Sequence, residues 1–439
     1  MNKYKSTIVN IIFFIFPLSI ILGNFYTNLN IFFLFIGAIF FFNKEIIKFK
    51  MIFFDKIILF FFIFTFTTLI INFLESYFSE VAPYWEQAGW SEIFPSVIIY
   101  KTFFYFRYFI LYLVLRVLIS QKILRLDWFS LSCGICATFV CLDIIFQFVF
   151  GKNILGFEQI GIRHFSGVFG EELIAGGYLQ KFALFTFFLP FVLRKNLFHK
   201  TLIQTIFFIF FIFGIILSGN RMPVLLFILS FFVFILLDKS LKKYFFIFFV
   251  IICLVITSSF NLSQTFRYNA GNFYFNAKDL LHNIIIPEHN NKIGKGESVV
   301  AKGGHGRAYL VEFYCFKTIF KKNIFFGGGL RSYRFFSGGC NVHPHNYYFE
   351  ILSDLGLIGF SIILFFVFML LRKILLKKNS SFNFSLNTID YKIMPFFLIF
   401  VVEFFPVRTS GSFFTTSNAT IIFIILSILV SLISQKKTL

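Results

Sequence analysis

The stretch Asn341-Val-His-Pro-His-Asn-Tyr-Tyr-Phe-Glu-Ile-Leu-Ser-Asp-Leu-Gly-Leu-Ile-Gly359 closes the longest polar segment of a chain that is otherwise mostly apolar. It marks where the chain leaves water and re-enters a long hydrophobic run. His343 and His345 stand at that boundary. His345 precedes Gly356 by eleven residues, close to three turns at ~3.6 residues per turn. The spacing predicts one shared helix face, with His345 at the mouth and Gly356 deeper. There a bare backbone would let a second helix approach. An imidazole at a membrane surface is suited to moving a proton. The plainer reading is a histidine that caps a helix at the interface.

Composition sets the class. The chain has 439 residues, of which 58% are hydrophobic and 14% charged. Its mean hydropathy is +0.84. Soluble chains carry roughly 25% charged residues, so an all-α polytopic membrane protein is expected. The 78 phenylalanines accompany abundant Ile, Lys and Asn, as an AT-rich coding bias produces, and mark no aromatic binding surface. The net charge of +20 favours anionic lipid headgroups over nucleic acid, and no nucleic-acid-binding motif is present. Cys133, Cys136, Cys141 and Cys253 fall in apolar runs and read as small core residues. Cys315 and Cys340 lie in the polar segment, where a disulfide would need an oxidising compartment. Lys3 and Lys5 precede the apolar run from Ile8 to Leu22 without a small-residue cleavage site, so an uncleaved first helix is expected.

Apolar runs long enough to span a bilayer, ~20 residues, occur near 8–24, 27–43, 57–74, 99–119, 127–150, 173–193, 201–218, 222–238, 244–260, 346–371, 393–409 and 413–434. About 12 transmembrane helices are therefore expected. Basic residues recur in alternate loops: Lys44 to Lys56, Arg116 to Arg125, Arg194 to Lys200, Lys239 to Lys243, Arg372 to Lys378, and Lys436 with Lys437. By the positive-inside rule both termini face the cytoplasm. Residues 1–260 then hold helices one to nine, 261–345 form one large external loop, and 346–439 hold helices ten to twelve. The loop is glycine-rich and cationic; long loops cross regardless of charge. Within it, residues 307–320 read as an amphipathic helix lying on the membrane surface.

Several polar positions stand out. Ser218 to Leu225 breaks two apolar runs, and Asn220 and Pro223 suit a helix start. Arg221 then sits at a helix N-terminus, where a guanidinium could clamp a phosphate; an arginine anchored by headgroups is the plain alternative. Arg307 opens the amphipathic stretch in the same way. Arg163 and His164 lie in the loop entering the sixth helix, with Glu171 and Glu172 at the membrane edge. These acids could pair with an arginine, accept a proton, or occupy a first helical turn. Glu403 and Arg408 flank Pro406 and read as an ion pair. Asp143, Lys101 and Arg107 are further intramembrane charges expected to face the bundle interior. No residue set has metal-ligand spacing, and no nucleotide fingerprint occurs.

Together these features resemble the O-antigen ligase / O-antigen polymerase superfamily of bacterial inner membranes. Arg221 to Leu225 matches its R-x3-L element and His345 to Gly356 its H-x10-G element. The large loop before that histidine, a loop arginine (Arg307) and the turn Phe326-Gly-Gly-Gly-Leu330 are similar too. Arg163, Gly167 and Phe169 resemble the R-x-x-G-x-F pattern with one extra residue, and Glu171-Glu172 stands where Asn-Pro-Asn is common. The resemblance covers roughly residues 160–435. It implies a C-type glycosyltransferase membrane fold and transfer of a glycan from undecaprenyl diphosphate to an acceptor hydroxyl on the periplasmic face, without metal, cofactor or ATP and with inversion. The ligase acceptor is lipid A–core; the polymerase acceptor is a second lipid-linked glycan. It implies His345 as base and Arg221, Arg307 and Arg163 on the diphosphate, with His343, Glu172, Glu403 and Arg408 as supporting candidates. A lipid-linked oligosaccharide transporter is the alternative of another class; it would be expected to show two related halves, and no internal repeat is present.

Overall fold

In the computed structural model, the described residues are 2–39, 49–78, 94–160, 164–193, 200–237, 323–333, 344–376, 392–406 and 411–434, with 250, 253, 254, 257, 267, 316, 317, 320 and 321. Among them the only regular secondary structure is helical: α1 (Asn2–Phe14), α2 (Phe16–Ile21), α3 (Asn24–Ile39), α4 (Phe53–Phe78), α5 (Phe94–Tyr105), α6 (Arg107–Ser120), α7 (Leu126–Phe150), α8 (Ala175–Leu193), α9 (Lys200–Leu217), α10 (Arg221–Leu237), α11 (Tyr347–Leu376), α12 (Met394–Glu403) and α13 (Thr416–Ser434), plus a 3-10 turn at Gly167–Phe169. A helix satisfies its own backbone hydrogen bonds, which is why apolar runs in lipid take this form.

Among the described residues, six spans are long and apolar enough to cross a membrane: Tyr4–Ile21, Phe53–Leu74, Ile98–Ser120, Leu126–Phe150, Tyr347–Leu375 and Thr416–Ser434. Asn24–Ile39, Ile203–Leu217, Arg221–Leu237 and Met394–Glu403 are shorter apolar helices. The chain is thus an all-α membrane protein that crosses the bilayer several times. Most of the run near 244–260 and of the loop 261–345, with Cys315 and Cys340, lies outside the described residues.

The bundle is built on close helix pairs. α7 runs along α8, and α6 along α13. Gly134 of α7 lies against Thr186 of α8, and Gly214 of α9 against Cys141 of α7, so small residues set these approaches. Rings fill the centre: Phe62 packs on Tyr105, Phe109 and Phe423, which joins α4, α5, α6 and α13. Cys133, Cys136 and Cys141 are buried in this interior, but Cys253 is exposed, contrary to the core position expected of it.

Arg116 does not sit in a basic loop. It is 2% exposed and pairs with Asp55 at 3.0 Å. Tyr112 also donates to Asp55, and Arg116 donates to Ser431 and Ser434. α4, α6 and α13 are locked together by one desolvated charge network, so Arg116 carries no weight in the loop-charge argument for orientation.

Gly356 does not continue the helix from His345. It interrupts α11 with φ +63° and ψ −168°, a left-handed φ open chiefly to glycine. What fits against it is loop backbone, not a second helix. A Cβ there would lie 2.3 Å from the Phe325 carbonyl oxygen. The glycine segment 323–330 fills the break. Leu357 and Ile358 N–H donate to the carbonyls of Ile324 and Phe325, and Gly328 and Gly329 N–H donate to those of Ser353 and Asp354. Asp354 completes the junction: its carboxylate accepts from Arg331 N, Ser332 Oγ and Tyr333 N at 2.7, 2.8 and 3.1 Å. Nearby, Phe316 is buried and stacks on Phe349 of α11. The end of the expected amphipathic stretch therefore packs on protein.

α12 stops at Glu403, before Pro406, and falls short of the run expected to 409. Glu171 and Glu172 precede α8 and so do not form its first turn.

Candidate functional site

At one end of the bundle α2 finishes and α8, α10, α11 and α13 begin. Their N-terminal N–H groups and macrodipoles bring partial positive charge to that end. Between them lies a cavity of about 720 Å³. Both Arg221 and His345 line it, with His164, Glu172, Lys181 and Asn418.

Arg221 is the first residue of α10. The preceding Ser218–Asn220 turn is pressed against α8 because residue 176 is glycine; a Cβ at Gly176 would lie 2.4 Å from Ser218 Oγ. His164 ties the same turn to the loop before α8. Its Nδ1 lies 3.0 Å from the Ser218 carbonyl oxygen. A carbonyl only accepts, so Nδ1 carries the hydrogen. Asn220 Nδ2 donates to Leu173 O at 3.2 Å and pins the turn from its other side.

His345 reaches the cavity through a strained turn. Its φ is +42°, a region L-residues with large side chains rarely occupy. The next residue explains the turn: Asn346 caps α11, its Oδ1 accepting from Tyr348 N at 2.8 Å and from Phe349 N at 3.3 Å. Its Nδ2 donates to Pro406 O. The chain thus reverses sharply at His345 and turns its ring into the cavity wall. His345 is half-buried, and burial pushes its pKa below the ordinary imidazole value. The ring is therefore neutral near pH 7 and able to accept a proton.

The inner wall holds a residue that the sequence did not single out. Lys181 of α8 is buried and pairs with Glu403, at the end of α12, at 3.2 Å. Its Nζ also donates to Asn418 Oδ1 of α13 at 3.0 Å. Tyr347 OH donates to Glu403 Oε2 at 3.3 Å. Glu403 thus pairs with Lys181, from a distant part of the chain; its expected partner Arg408 lies outside the described residues. The available signal was a lone lysine inside an apolar run, which requires a partner.

Glu172 lines the cavity and is exposed. Asp143 is buried, away from the cavity, where it accepts from Ile154 N and Asn153 Nδ2. Arg163, His343 and Arg307 lie outside the described residues. Among the described residues no cluster of His, Cys, Asp and Glu could hold a metal ion.

Residues 206–364 match the model of a family described as O-antigen ligase. The matched segment runs from α9 into the second half of α11 and carries Arg221, His345 and Gly356. No curated protein matches the chain.

Proposed function

We propose, with the O-antigen ligase match of residues 206–364 as the premise, that the chain is a membrane glycosyltransferase of the O-antigen ligase / polymerase superfamily. It moves a glycan from undecaprenyl diphosphate to an acceptor hydroxyl, of lipid A–core in the ligase reading. The reaction takes place at the periplasmic face of the inner membrane, with both termini cytoplasmic. The twelve-helix topology and the C-type glycosyltransferase fold belong to the same proposal.

The observation that carries it is that Arg221 and His345 line one cavity. The anomeric carbon loses its bond to the diphosphate oxygen and gains one to the acceptor oxygen. The bonding pair leaves with the diphosphate, where the Arg221 guanidinium and the α10 N-terminus stabilise the added charge. The acceptor proton passes to neutral His345. Attack opposite the leaving group inverts the anomeric centre. Arg307, Arg163, His343 and Arg408 remain candidates for the same site. Lys181, neutralised by Glu403, orders the inner wall. The chemistry needs no metal or cofactor, because the donor arrives activated.

The test is transfer in vitro from purified lipid-linked glycan, with lipid A–core and with a second lipid-linked glycan as acceptors. The product distinguishes ligase from polymerase. Arg221→Ala should lose about 10²–10³-fold in rate, the range for removing one transition-state donor. His345→Ala should lose about 10²–10⁴-fold. Undiminished turnover in His345→Ala would remove the base from this scheme. Carrier movement with no new glycosidic bond would indicate the transporter instead.

A further inference from the structure

The cavity that holds Arg221 and His345 has walls of two chemistries. The part built by α8, α10 and the loop before α8 is charged, with Glu172, Lys181 and Arg221. The part built by α3 and residues 411–421 carries no charged residue among those that line the cavity. It presents Asn24, Ser412, Thr415, Ser417 and Asn418, five hydroxyl or amide side chains.

These groups are held in place. Asn418 Nδ2 donates to Ser412 O at 2.9 Å, and its Oδ1 accepts from Lys181 Nζ at 3.0 Å. A carbonyl only accepts and an ammonium only donates, so this amide fits one way round. Residue 411 makes room for it: at φ +69° it is glycine, and a Cβ there would lie 2.7 Å from Asn418 Nδ2. Thr415 Oγ1 donates to the same Ser412 carbonyl at 3.1 Å. Ser417 Oγ donates to Asn24 Oδ1 at 3.1 Å and ties α13 to α3. Glu350 of α11 fixes the turn that leads into this wall, accepting from Ser412 Oγ and Phe413 N.

Hydrogen-bonding capacity is left over after these contacts. Asn24 Nδ2 has no partner among the described residues, and one of the two Asn418 Nδ2 hydrogens is spent. The Thr415 and Ser417 hydroxyls each donate once and keep their lone pairs. Asn24 is exposed, and Thr415, Ser417 and Asn418 are half-buried, so a ligand in the cavity can reach them. An uncharged wall that both donates and accepts matches groups that do the same, which sugar hydroxyls do. A phosphate only accepts and is held best by cations.

We propose that Asn24, Thr415, Ser417 and Asn418 form the subsite for the donor's glycan and select it by its hydroxyls. A site built to hydrogen-bond a hydroxyl discriminates against an analogue that lacks it, because the site's own polar groups are then left unpaired. The donor is chosen over the acceptor by connectivity: its glycan is bonded to the diphosphate and must share the cavity of Arg221. That assignment rests on the transferase reading above; recognition of a sugar rests on the wall itself.

The test uses the full chain in phosphatidylcholine nanodiscs. Equilibrium binding is measured with three probes: the purified lipid-linked glycan, undecaprenyl diphosphate carrying no sugar, and the glycan released from its carrier. The variants are Asn24→Ala, Ser417→Ala and the two combined; Asn418 is kept because it also holds Lys181. Each single variant should bind the lipid-linked glycan roughly twofold to tenfold more weakly, the worth of one hydrogen bond. The sugar-free carrier should bind as it does to the wild type, which a merely structural loss would not allow. Equal weakening of both carriers, or an undiminished affinity for the lipid-linked glycan in the double variant, would overturn the subsite. In transfer assays the variants should raise the donor KM; a rise confined to the acceptor KM would overturn the assignment to the donor. Variant-sensitive binding of the released glycan, with neither carrier bound, would keep the sugar wall and remove the transferase reading. Binding of both carriers that depends on Arg221 but ignores Asn24→Ala and Ser417→Ala would do the reverse.

Discussion

Lys181 and Glu403 meet at 3.2 Å with their side chains 5% and 1% exposed, one from the second turn of α8 and the other from the last residue of α12. Asn418 of α13 and Tyr347 of α11 complete the cluster. One polar knot therefore joins four helices beside the cavity. The pair owes its geometry to hydrogen bonds from both sides, and either charge alone would be desolvated without compensation.

Removing one partner should therefore cost more than removing both. Lys181→Met is expected to destabilise by about 3–5 kcal/mol, the range for a buried charge left alone. Lys181→Met with Glu403→Leu should recover most of that loss. Thermal unfolding in detergent reads both. Equal losses in the single and double variants would show that the two charges are not energetically coupled.

In the proposed mechanism His345 governs the acid side of the pH profile. Burial lowers its pKa, and the neutral ring would be the active form. The transfer rate should hold as pH falls through the ordinary imidazole value of ~6.5 and decline only below it. The stability sign agrees. The unfolded ring takes up a proton at higher pH than the folded one, so folding loses stability as pH falls through that window. A rate that declines above pH ~6.5 would contradict the buried, neutral ring.

The break in α11 admits no side chain at residue 356. Gly356→Ala places a methyl 2.3 Å from Phe325 O at φ +63°. The expected outcome is failure to accumulate folded protein, read by size-exclusion chromatography after mild solubilisation. An alanine variant of normal yield and melting temperature would mean that the glycine segment is not seated in the break.

Asp354 anchors that segment with three hydrogen bonds. Asp354→Ala should cost about 3 kcal/mol or more, at roughly 1–3 kcal/mol for each buried donor left without its partner. It should also expose residues 323–333 to proteolysis. Unchanged protection in this segment would argue that glycine backbone pairing suffices without the carboxylate.

Much of this was legible in the chain. Among the described residues the apolar runs located the helices, because a membrane helix advertises itself by length and hydropathy. Arg221 at a helix start followed from Asn220 and Pro223 nearby. Glu403 was paired by proximity in sequence with Arg408, which lies outside the described residues; the partner seen, Lys181, is more than 200 residues away. Arg116 looked like a loop cation because Lys122 and Arg125 follow it; only the fold reveals Asp55 beside it. Gly356 was read as a site for helix contact. Its left-handed φ depends on the glycine segment that fills the break, which no periodicity encodes. Glu350 and Asp354, one helical turn apart in an apolar run, were passed over, though buried acids at that spacing require partners.

The seam between the glycine segment and α11 also sets an order of assembly. The ribosome delivers residues 323–333 before 353–358, so amides at 328 and 329 and carbonyls at 324 and 325 emerge with no counterpart yet made. Among the described residues, these partners arrive only with the tenth apolar run. A chain truncated before Ser353 should accordingly keep this segment open to protease, and one that continues through α11 should close it.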